Sequence, residues 1–565
     1  MTTHERRQRL LILIHEQPGI RVPELALRLG VSQGTIRNDL NALTETGQLT
    51  RVRGGAVPMD EPLVHQLPFV AQARVNLAAK QQIARWAANL VEDGDSILLD
   101  ASTTAYHLAR FLQDRRNLTV VTNGLDVARA LAQNATNTVI LLGGVLNAGG
   151  ASVTGLLSEQ FLADLHIKTA FVSCAGFTAE AGLTESDIRQ AELKRKMIVT
   201  ASHVIALIDS SKFGRVGLAP FARLDQIRHI FSDEALDRRW IERLRGARVA
   251  ISLCGETRVA NIAADNGQTA HFKIGFANLG EQWAYAGDVR RSLERAAQAA
   301  GNIDLILADN QLSGDVALAV ADSLIAERVD LVIEYQLDYE AGEVIMAKFH
   351  DAGIPVIAVD IPMVGATFFG VDNYRAGHMA GVALARWITE RWRGRIDRLI
   401  ALERLRAGPL PAARMRGQID GVASGLGGLP AQKLVSLDAG DDSAQTEEQV
   451  VALLSNLPDA HHLAFVTFSD TVTLACIAAG RRLSRQRDMA VVGQGADRQV
   501  CEEMTRPDTP LIGATAFYPD RYGEHLIPLA LKILRGEAAP PAVYIDHTFV
   551  SRCQNGSEKA IQEDV

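Results

Sequence analysis

This chain lacks the marks of several protein classes. It has five cysteines in 565 residues, at positions 174, 254, 476, 501 and 553. They are scattered and odd in number, with neither metal-ligand spacing nor a disulfide framework, which points to a reducing cytoplasm and to no metal centre. No stretch is long and apolar enough to span a bilayer. Arg6, Arg7 and Arg9 followed by LLILI superficially resemble a secretion signal. The apolar run is short and leads into His15-Glu16 without a small-residue cleavage site, so a first helix containing Leu10, Leu13 and Ile14 is expected instead. No tandem repeat is evident. GLGGLP at Gly425 lacks the context and spacing of a dinucleotide fingerprint, and no cofactor is expected. Net positive charge is missing too: the formal charge is −8.

What is present is an ordinary globular composition, 47% hydrophobic and 22% charged. A chain of this length must divide into several domains. Its charge is uneven. Residues 1–58 hold eight arginines against five acids, a surplus of three positive charges, and the remainder therefore carries −11. A basic head on an acidic body suits a protein that touches DNA at one end.

The head supports this reading. Val22, Leu25 and Leu29 give a short helix an inner face, Gly30 breaks it, and Ser32 restarts the chain as an N-cap. Ile36, Leu40 and Leu43 recur at helical spacing in a second helix. Its other face carries Gln33, Gly34, Arg37, Asn38 and Asn41, side chains suited to base edges and phosphates. Leu49 to Val57 alternates as a β-wing bearing Arg51 and Arg53. The segment resembles the winged helix-turn-helix of the DeoR family of bacterial regulators, through Val31-Ser32, Thr35-Ile36-Arg37, Asp39-Leu40, Gly47 and Arg53-Gly54-Gly55-Ala56. The expected DNA-contacting set is Ser32, Gln33, Thr35, Arg37, Asn38, Asn41, Arg51 and Arg53. The family usually has a second basic residue where Asn38 stands, so base preference is expected to differ.

Between Asn76 and Cys254, apolar runs alternate with helical patterns: SILLD (96–100), LTVVT (118–122), TVILL (138–142), TAFVS (169–173) and VIALID (204–209). This alternation predicts a parallel sheet covered by helices, with ligands beyond the carboxyl ends of the strands. The residues there include Asp100, Ser102, Thr103, Thr104, Asn123, Gly143, Gly144, Asp209 and Lys212. Small and hydroxylated turns at helix N-termini suit an anion. As an ordered set they resemble the DeoR sensor domain, related in fold to ribose-5-phosphate isomerase. The resemblance implies a sugar-phosphate effector with its phosphate at Ser102 to Thr104, although Ser102 stands where many relatives have glycine. The basic run Lys194-Arg195-Lys196 reads as a solvated helix face.

Thr257 to His271 reads as a linker. A second α/β body follows, with strands at 273–277, 304–308, 330–334, 355–359, 368–371, 463–467 and 490–494. It resembles the type I periplasmic sugar-binding fold, also found as the effector domain of LacI-type repressors. The resemblance is carried by Gly353-Ile354-Pro355-Val356, Asp360, Gly370 to Gly377, Ala413 to Gly417, Phe468-Ser469-Asp470 and Val491-Val492-Gly493. It implies two lobes closing on a sugar held by stacking aromatics and hydrogen-bonding groups. The candidates are Asn278, Trp283, Tyr285, Asp360, Asp372, Arg414, Ser469, Asp470, Gln494 and Phe517. Ser469, Gln494 and Phe517 depart from the usual family residues, which implies a small polar ligand, a sugar or polyol, held by something other than the usual pentose contacts. Trp387 and Trp392 read as core.

The expected architecture is therefore multidomain: a winged helix-turn-helix (1–58), an isomerase-like parallel-sheet sensor (76–254) and a two-lobed periplasmic-binding-protein-like domain (272–552). The expected function is a cytoplasmic, non-enzymatic DNA-binding transcriptional regulator of carbohydrate metabolism or uptake, by family default a repressor. Its partners would be double-stranded operator DNA and sugar or sugar-phosphate effectors, without a membrane, in a homo-oligomer reading repeated half-sites. The alternative is a sugar-phosphate isomerase-like enzyme with accessory domains. A transport-binding protein fits the last body but not the N-terminus.

Overall fold

The computed structural model describes all residues except 1–5, 8, 11–12, 15–19, 46–48, 53–54, 59–68, 148–150, 265–270, 405–408, 440–441 and 552–565. The chain forms two compact units, residues 1–273 with 297–308, and 274–296 with 309–565.

In the head, helix α1 (Val22–Leu29) has a proline in its first turn and ends on Gly30 at φ +65°, a left-handed turn that glycine adopts without strain. Helix α2 (Gln33–Glu45) begins where the Ser32 hydroxyl accepts the Thr35 N–H at 3.0 Å. Leu10, Ile14, Ile20, Val22, Leu25, Ile36, Leu40, Leu43 and Leu49 close a small core beneath them. Strands β1 (Leu49–Val52) and β2 (Gly55–Pro58) pair antiparallel as the wing.

The sensor follows. Helix α3 (Leu77–Ala87) precedes β3 (Ser96–Leu99), α4 (Thr103–Phe111), β4 (Thr119–Thr122), β5 (Thr138–Leu141), β6 (Ile167–Val172) and β7 (Gly182–Glu185). Then come α5 (Ile188–Thr200), β8 (Ala201–Leu207), β9 (His229–Asp233), β10 (Ala250–Cys254) and β11 (Arg258–Ile262). The main sheet runs β5-β4-β3-β6-β8-β9-β10-β11, parallel except for β11. All five predicted strands form. The expected linker begins instead with β11, whose register with β10 (Ile251 opposite Ile262, Leu253 opposite Ala260) gives its small residues a ladder. Residues 265–270 lie outside the described residues.

The second unit has two lobes. The first is the parallel sheet β22-β16-β15-β14-β12, made of β12 (Phe272–Asn278), β14 (Leu331–Glu334), β15 (Val356–Val359), β16 (Thr367–Val371) and β22 (Ala542–Ile545). Helices α6 (Ala284–Ala300), α7 (Tyr339–Asp351) and α11 (Tyr522–Leu534) and strand β13 (Ile303–Asp309) also lie in this stretch of the chain, residues 297–308 of which belong to the first unit. The second lobe is β18-β17-β19-β20-β21-β23, made of β17 (Arg398–Glu403), β18 (Leu434–Asp438), β19 (Leu463–Thr467), β20 (Met489–Gly495), β21 (Leu511–Ala516) and an antiparallel β23 (Thr548–Val550). With it go α8 (Asn373–Trp392), α9 (Pro409–Gly425) and α10 (Asp470–Arg482). The chain passes between lobes after β16, after β21 and after β22, so the strand ends meet at a hinged cleft. Trp387 and Trp392 pack edge to face at 5.1 Å against the second-lobe core, as expected.

Cys174, Cys254 and Cys476 are buried free thiols. Cys501 is disulfide-bonded, a pairing that the scattered, odd-numbered cysteines did not suggest. No helix among the described residues is long and apolar enough to cross a membrane.

Candidate functional sites

The outer face of α2 exposes Gln33, Arg37, Asn38 and Asn41, with Thr35 half-buried beside them. Ser32 is exposed, and its hydroxyl is shared between the Thr35 backbone and the Thr35 hydroxyl, 2.9 Å away. Asp39 turns inward and is buried. Arg6 reaches it at 2.5 Å and Arg7 at 3.1 Å. Burial opposes the Asp39 charge, but hydrogen bonds from the two guanidinium groups hold its pKa below the usual carboxylate range. Two of the eight head arginines therefore brace the helix through its inward-turned Asp39. Arg51 lies in β1, and Arg53 lies outside the described residues.

In the sensor, the carboxyl ends of β3, β6 and β8 converge on Ser173. Its N–H donates to Asp100 Oδ2 at 2.8 Å, its carbonyl accepts from Lys194 Nζ at 2.7 Å, and its hydroxyl accepts from Lys212 Nζ at 3.0 Å. Asp100 Oδ1 accepts the Ser102 N–H at 3.1 Å, and the Ser102 hydroxyl caps α4 by accepting from Ala105. Asp209 lies 3.6 Å from Lys212 Nζ and accepts from Asn76 and Ser211. Asp100, Ser102, Asp209 and Lys212 are thus brought into one network. Thr103 and Thr104 open α4 beside it, with Thr103 half-buried and the buried Thr104 hydroxyl left without a partner. Asn123 sits one strand over, where it donates to the Val153 carbonyl and leaves Oδ1 unbonded. Gly143 and Gly144 are exposed after β5, away from the lysines' bonds.

The structure corrects the reading of Lys194. It is 4% exposed and bridges Asp100 Oδ2 at 2.7 Å and Glu185 Oε1 at 2.6 Å. Burial works against its charge, but the two carboxylates outweigh that and raise its pKa. Its neighbour Arg195 donates to the Pro220 carbonyl. Lys80, on α3, was not predicted either. It is 5% exposed, and its ammonium donates to the Gln72 carbonyl at 2.9 Å. Burial and then repulsion by Lys212, only partly countered by Asp209, lower its pKa to about 7. A run of helical charges hides such roles, because only the fold shows which member turns inward.

In the second unit, Arg414 on α9 donates to Asn373 Oδ1 at 2.9 Å and to the Phe468 carbonyl at 3.1 Å. Its guanidinium lies 4.8 Å from the Phe517 ring centroid and 5.4 Å from that of Phe468, in cation–π contact with both. Gly377 permits this placement, since a Cβ there would overlap the Arg414 carbonyl oxygen. From the opposite lobe, Asp360 accepts from the Tyr522 hydroxyl at 2.9 Å, and that hydroxyl also bonds the Tyr285 hydroxyl at 2.6 Å. Burial raises the Asp360 pKa, while hydrogen bonds from Tyr522 and Tyr335 and the charge of Arg414 counter it. Gln494 is 1% exposed with neither amide atom bonded. Asp470 accepts the backbone N–H groups of Ala496 and Asp497, while burial and the neighbouring Asp497 push its pKa to about 8.

The fold thus gathers Tyr285, Asp360, Arg414 and Phe517 into one charged and aromatic site. The other candidates have local roles. Asn278 bonds Glu281 and the Ala286 carbonyl, and Asp372 caps α8 through Arg375. Ser469 precedes α10 without a side-chain cap bond, and Trp283 is 39% exposed on the loop before α6. Tyr335, Tyr522, Phe468 and Asn373 join the site without having been predicted. A cavity of about 370 Å³ beside α7, lined among others by Gln336, Tyr339, Met346, Ile361 and Met363, is mainly apolar and includes none of the predicted residues.

Residues 6–61 match the DeoR-like helix-turn-helix domain, 75–234 the DeoR C terminal sensor domain, and 274–538 the periplasmic binding protein domain. The HTH-type transcriptional regulator GolR of Listeria innocua is 34% identical over 255 residues, 45% of this chain and 99% of GolR. The L-fucose operon activator of Haemophilus influenzae is 37% identical over 231 residues, 41% of this chain and 92% of that protein. An ABC transporter periplasmic solute-binding protein of Actinobacillus succinogenes with bound D-allose aligns at 19% identity and a TM-score of 0.43, covering 50% of this chain and 97% of its own. The chain therefore belongs to the DeoR family of helix-turn-helix, DNA-binding transcriptional regulators, with a periplasmic binding protein domain behind its sensor domain.

Proposed function

We propose that this regulator is a repressor of carbohydrate genes that reads operator DNA with α2 and answers to two classes of effector. The observation that carries the DNA reading is the split of α2: Gln33, Arg37, Asn38 and Asn41 face out, while Asp39 is tied inward to Arg6 and Arg7. A sugar phosphate at Ser102 to Thr104 would gain the α4 N-terminus and the nearby charges of Lys212 and Lys80. A sugar or polyol would lie between Asp360 and Arg414. Relatives such as the putative aga operon transcriptional repressor of Escherichia coli O157:H7 and the L-fucose operon activator of Haemophilus influenzae support carbohydrate control. We read the sensor as non-enzymatic, since Asp100, Glu185 and Asp209 are engaged by lysines, leaving none of them as a free base. Half-site reading calls for a homo-oligomer, and a protein that works on operator DNA is read as cytoplasmic.

The test is selection of operator sequences from random duplex DNA by the full chain, followed by fluorescence anisotropy with and without sugars and sugar phosphates. Saturable binding relieved by one of these compounds is expected. Turnover of aldose or ketose phosphates with no DNA retained would overturn the proposal.

A further inference from the structure

The first lobe contains buried hydrogen-bonding groups that satisfy one another only in part. β14 ends on Glu334, which is 1% exposed, and Asn310 follows β13, fully buried. Asn310 Nδ2 donates to Glu334 Oε1 at 3.0 Å and to the Tyr335 carbonyl at 3.4 Å. The Tyr335 carbonyl carries no hydrogen and can only accept, so chemistry turns the amide nitrogen towards it, and both its N–H groups are used. Asn310 Oδ1 and Glu334 Oε2 are left buried and unbonded. They do not bond each other, and no lysine or arginine among the described residues forms an ion pair with Glu334. Burial pushes the Glu334 carboxyl up to about 8.

This floor adjoins the site already described, because Glu334 ends β14 opposite Ala358 of the neighbouring parallel strand β15, two residues before Asp360. Arg414, the cation of that site among the described residues, already bonds Asn373 and the Phe468 carbonyl and lies against two rings. Asn310 Oδ1 is a waiting acceptor and Glu334 Oε2 becomes one when its carboxyl ionises, so a single group with more than one donor can serve both. A hydroxyl donates once, whereas an ammonium donates three times and also brings the charge a buried carboxylate lacks. Gln336 keeps its Nε2 unbonded, a donor suited to a neighbouring hydroxyl oxygen.

We propose that the effector of the periplasmic-binding-protein-like domain is an amino sugar or amino polyol whose protonated primary amine is held by Glu334 Oε2 and Asn310 Oδ1. The proposal rests on reading the cleft between Asp360 and Arg414 as an effector site. On binding, the Glu334 carboxyl gives its proton to solvent, and the resulting carboxylate pairs with the ligand ammonium.

Calorimetry on the full chain at pH 7, in two buffers of different ionisation enthalpy, tests this with D-glucosamine, D-galactosamine, D-mannosamine and inosamines. The parent hexoses and inositols and the N-acetyl derivatives serve as neutral comparators. At least one amine is expected to bind tenfold or more tighter than its neutral parent and to release up to about one proton. Glu334→Gln should remove that preference while sparing the neutral parent, and Arg414→Ala should weaken both. Equal binding of amine and parent, a preference that survives Glu334→Gln, or no amine binding at all overturns the proposal. If neutral sugars still bind through Arg414, the cleft reading survives that failure. If none of these compounds binds, both readings fall.

Discussion

Lys194 Nζ stands 2.7 Å from Asp100 Oδ2 and 2.6 Å from Glu185 Oε1, deep in the sensor. This lysine ties the carboxyl end of β3 to β7 and α5. Removing it strands two carboxylates, one of them fully buried. Lys194→Met is expected to cost about 3–5 kcal/mol of sensor stability, the usual penalty for breaking a buried pair from one side. Chemical denaturation followed by circular dichroism measures it. A loss below about 1 kcal/mol would show that the pair carries no structural weight.

Arg37→Ala should abolish operator retention at moderate salt and leave ligand-induced melting shifts intact. If Arg37 meets a phosphate, the salt dependence of any residual binding falls by about one unit of slope. Unchanged retention would remove Arg37 from the interface. Asp39→Asn differs in kind, because it loosens Arg6 and Arg7 and lowers the stability of the head itself.

Lys80 makes sensor stability depend on pH. Its folded pKa of about 7 lies below the ordinary 10.5. Below pH 7 both folded and unfolded chains carry the proton, and the cost of the buried charge is felt in full. Between about 7 and 10.5 the unfolded chain holds more protons, so this contribution to stability rises with pH. Lys80→Met removes it. The stability advantage of the variant should therefore be largest below pH 7 and shrink towards pH 10. An advantage constant across that range would show that Lys80 is not the titrating group.

The two proposed pockets should titrate independently. Arg414→Ala should weaken binding in the second unit by tenfold or more without altering a sugar phosphate held near Ser102 to Thr104. Thr103→Ala should do the reverse. Thermal shifts report both, since a ligand of the native state raises apparent stability. Loss of a single ligand from both variants would mean one pocket, not two.

Much of the fold was legible because it is local. Strand-length apolar runs, the Gly30 turn and the Ser32 cap act over a few residues, and each appears where the pattern placed it. Asp100 and Asp209, read from the strand ends, and Asp360, read from the resemblance, each follow a strand in the structure, after β3, β8 and β15. β11 escaped because its partner, not its composition, makes it a strand.

By itself, then, the sequence determined the order of the three parts and the residues at their strand ends, since hydrophobic period and turn chemistry are properties of neighbours along the chain. Which charges are buried together was decided only by tertiary structure. Lys194 meets Asp100 across 94 positions and Tyr522 meets Asp360 across 162. Burial strengthens such pairs and makes unpaired groups such as Glu334 costly, and no local pattern encodes either effect.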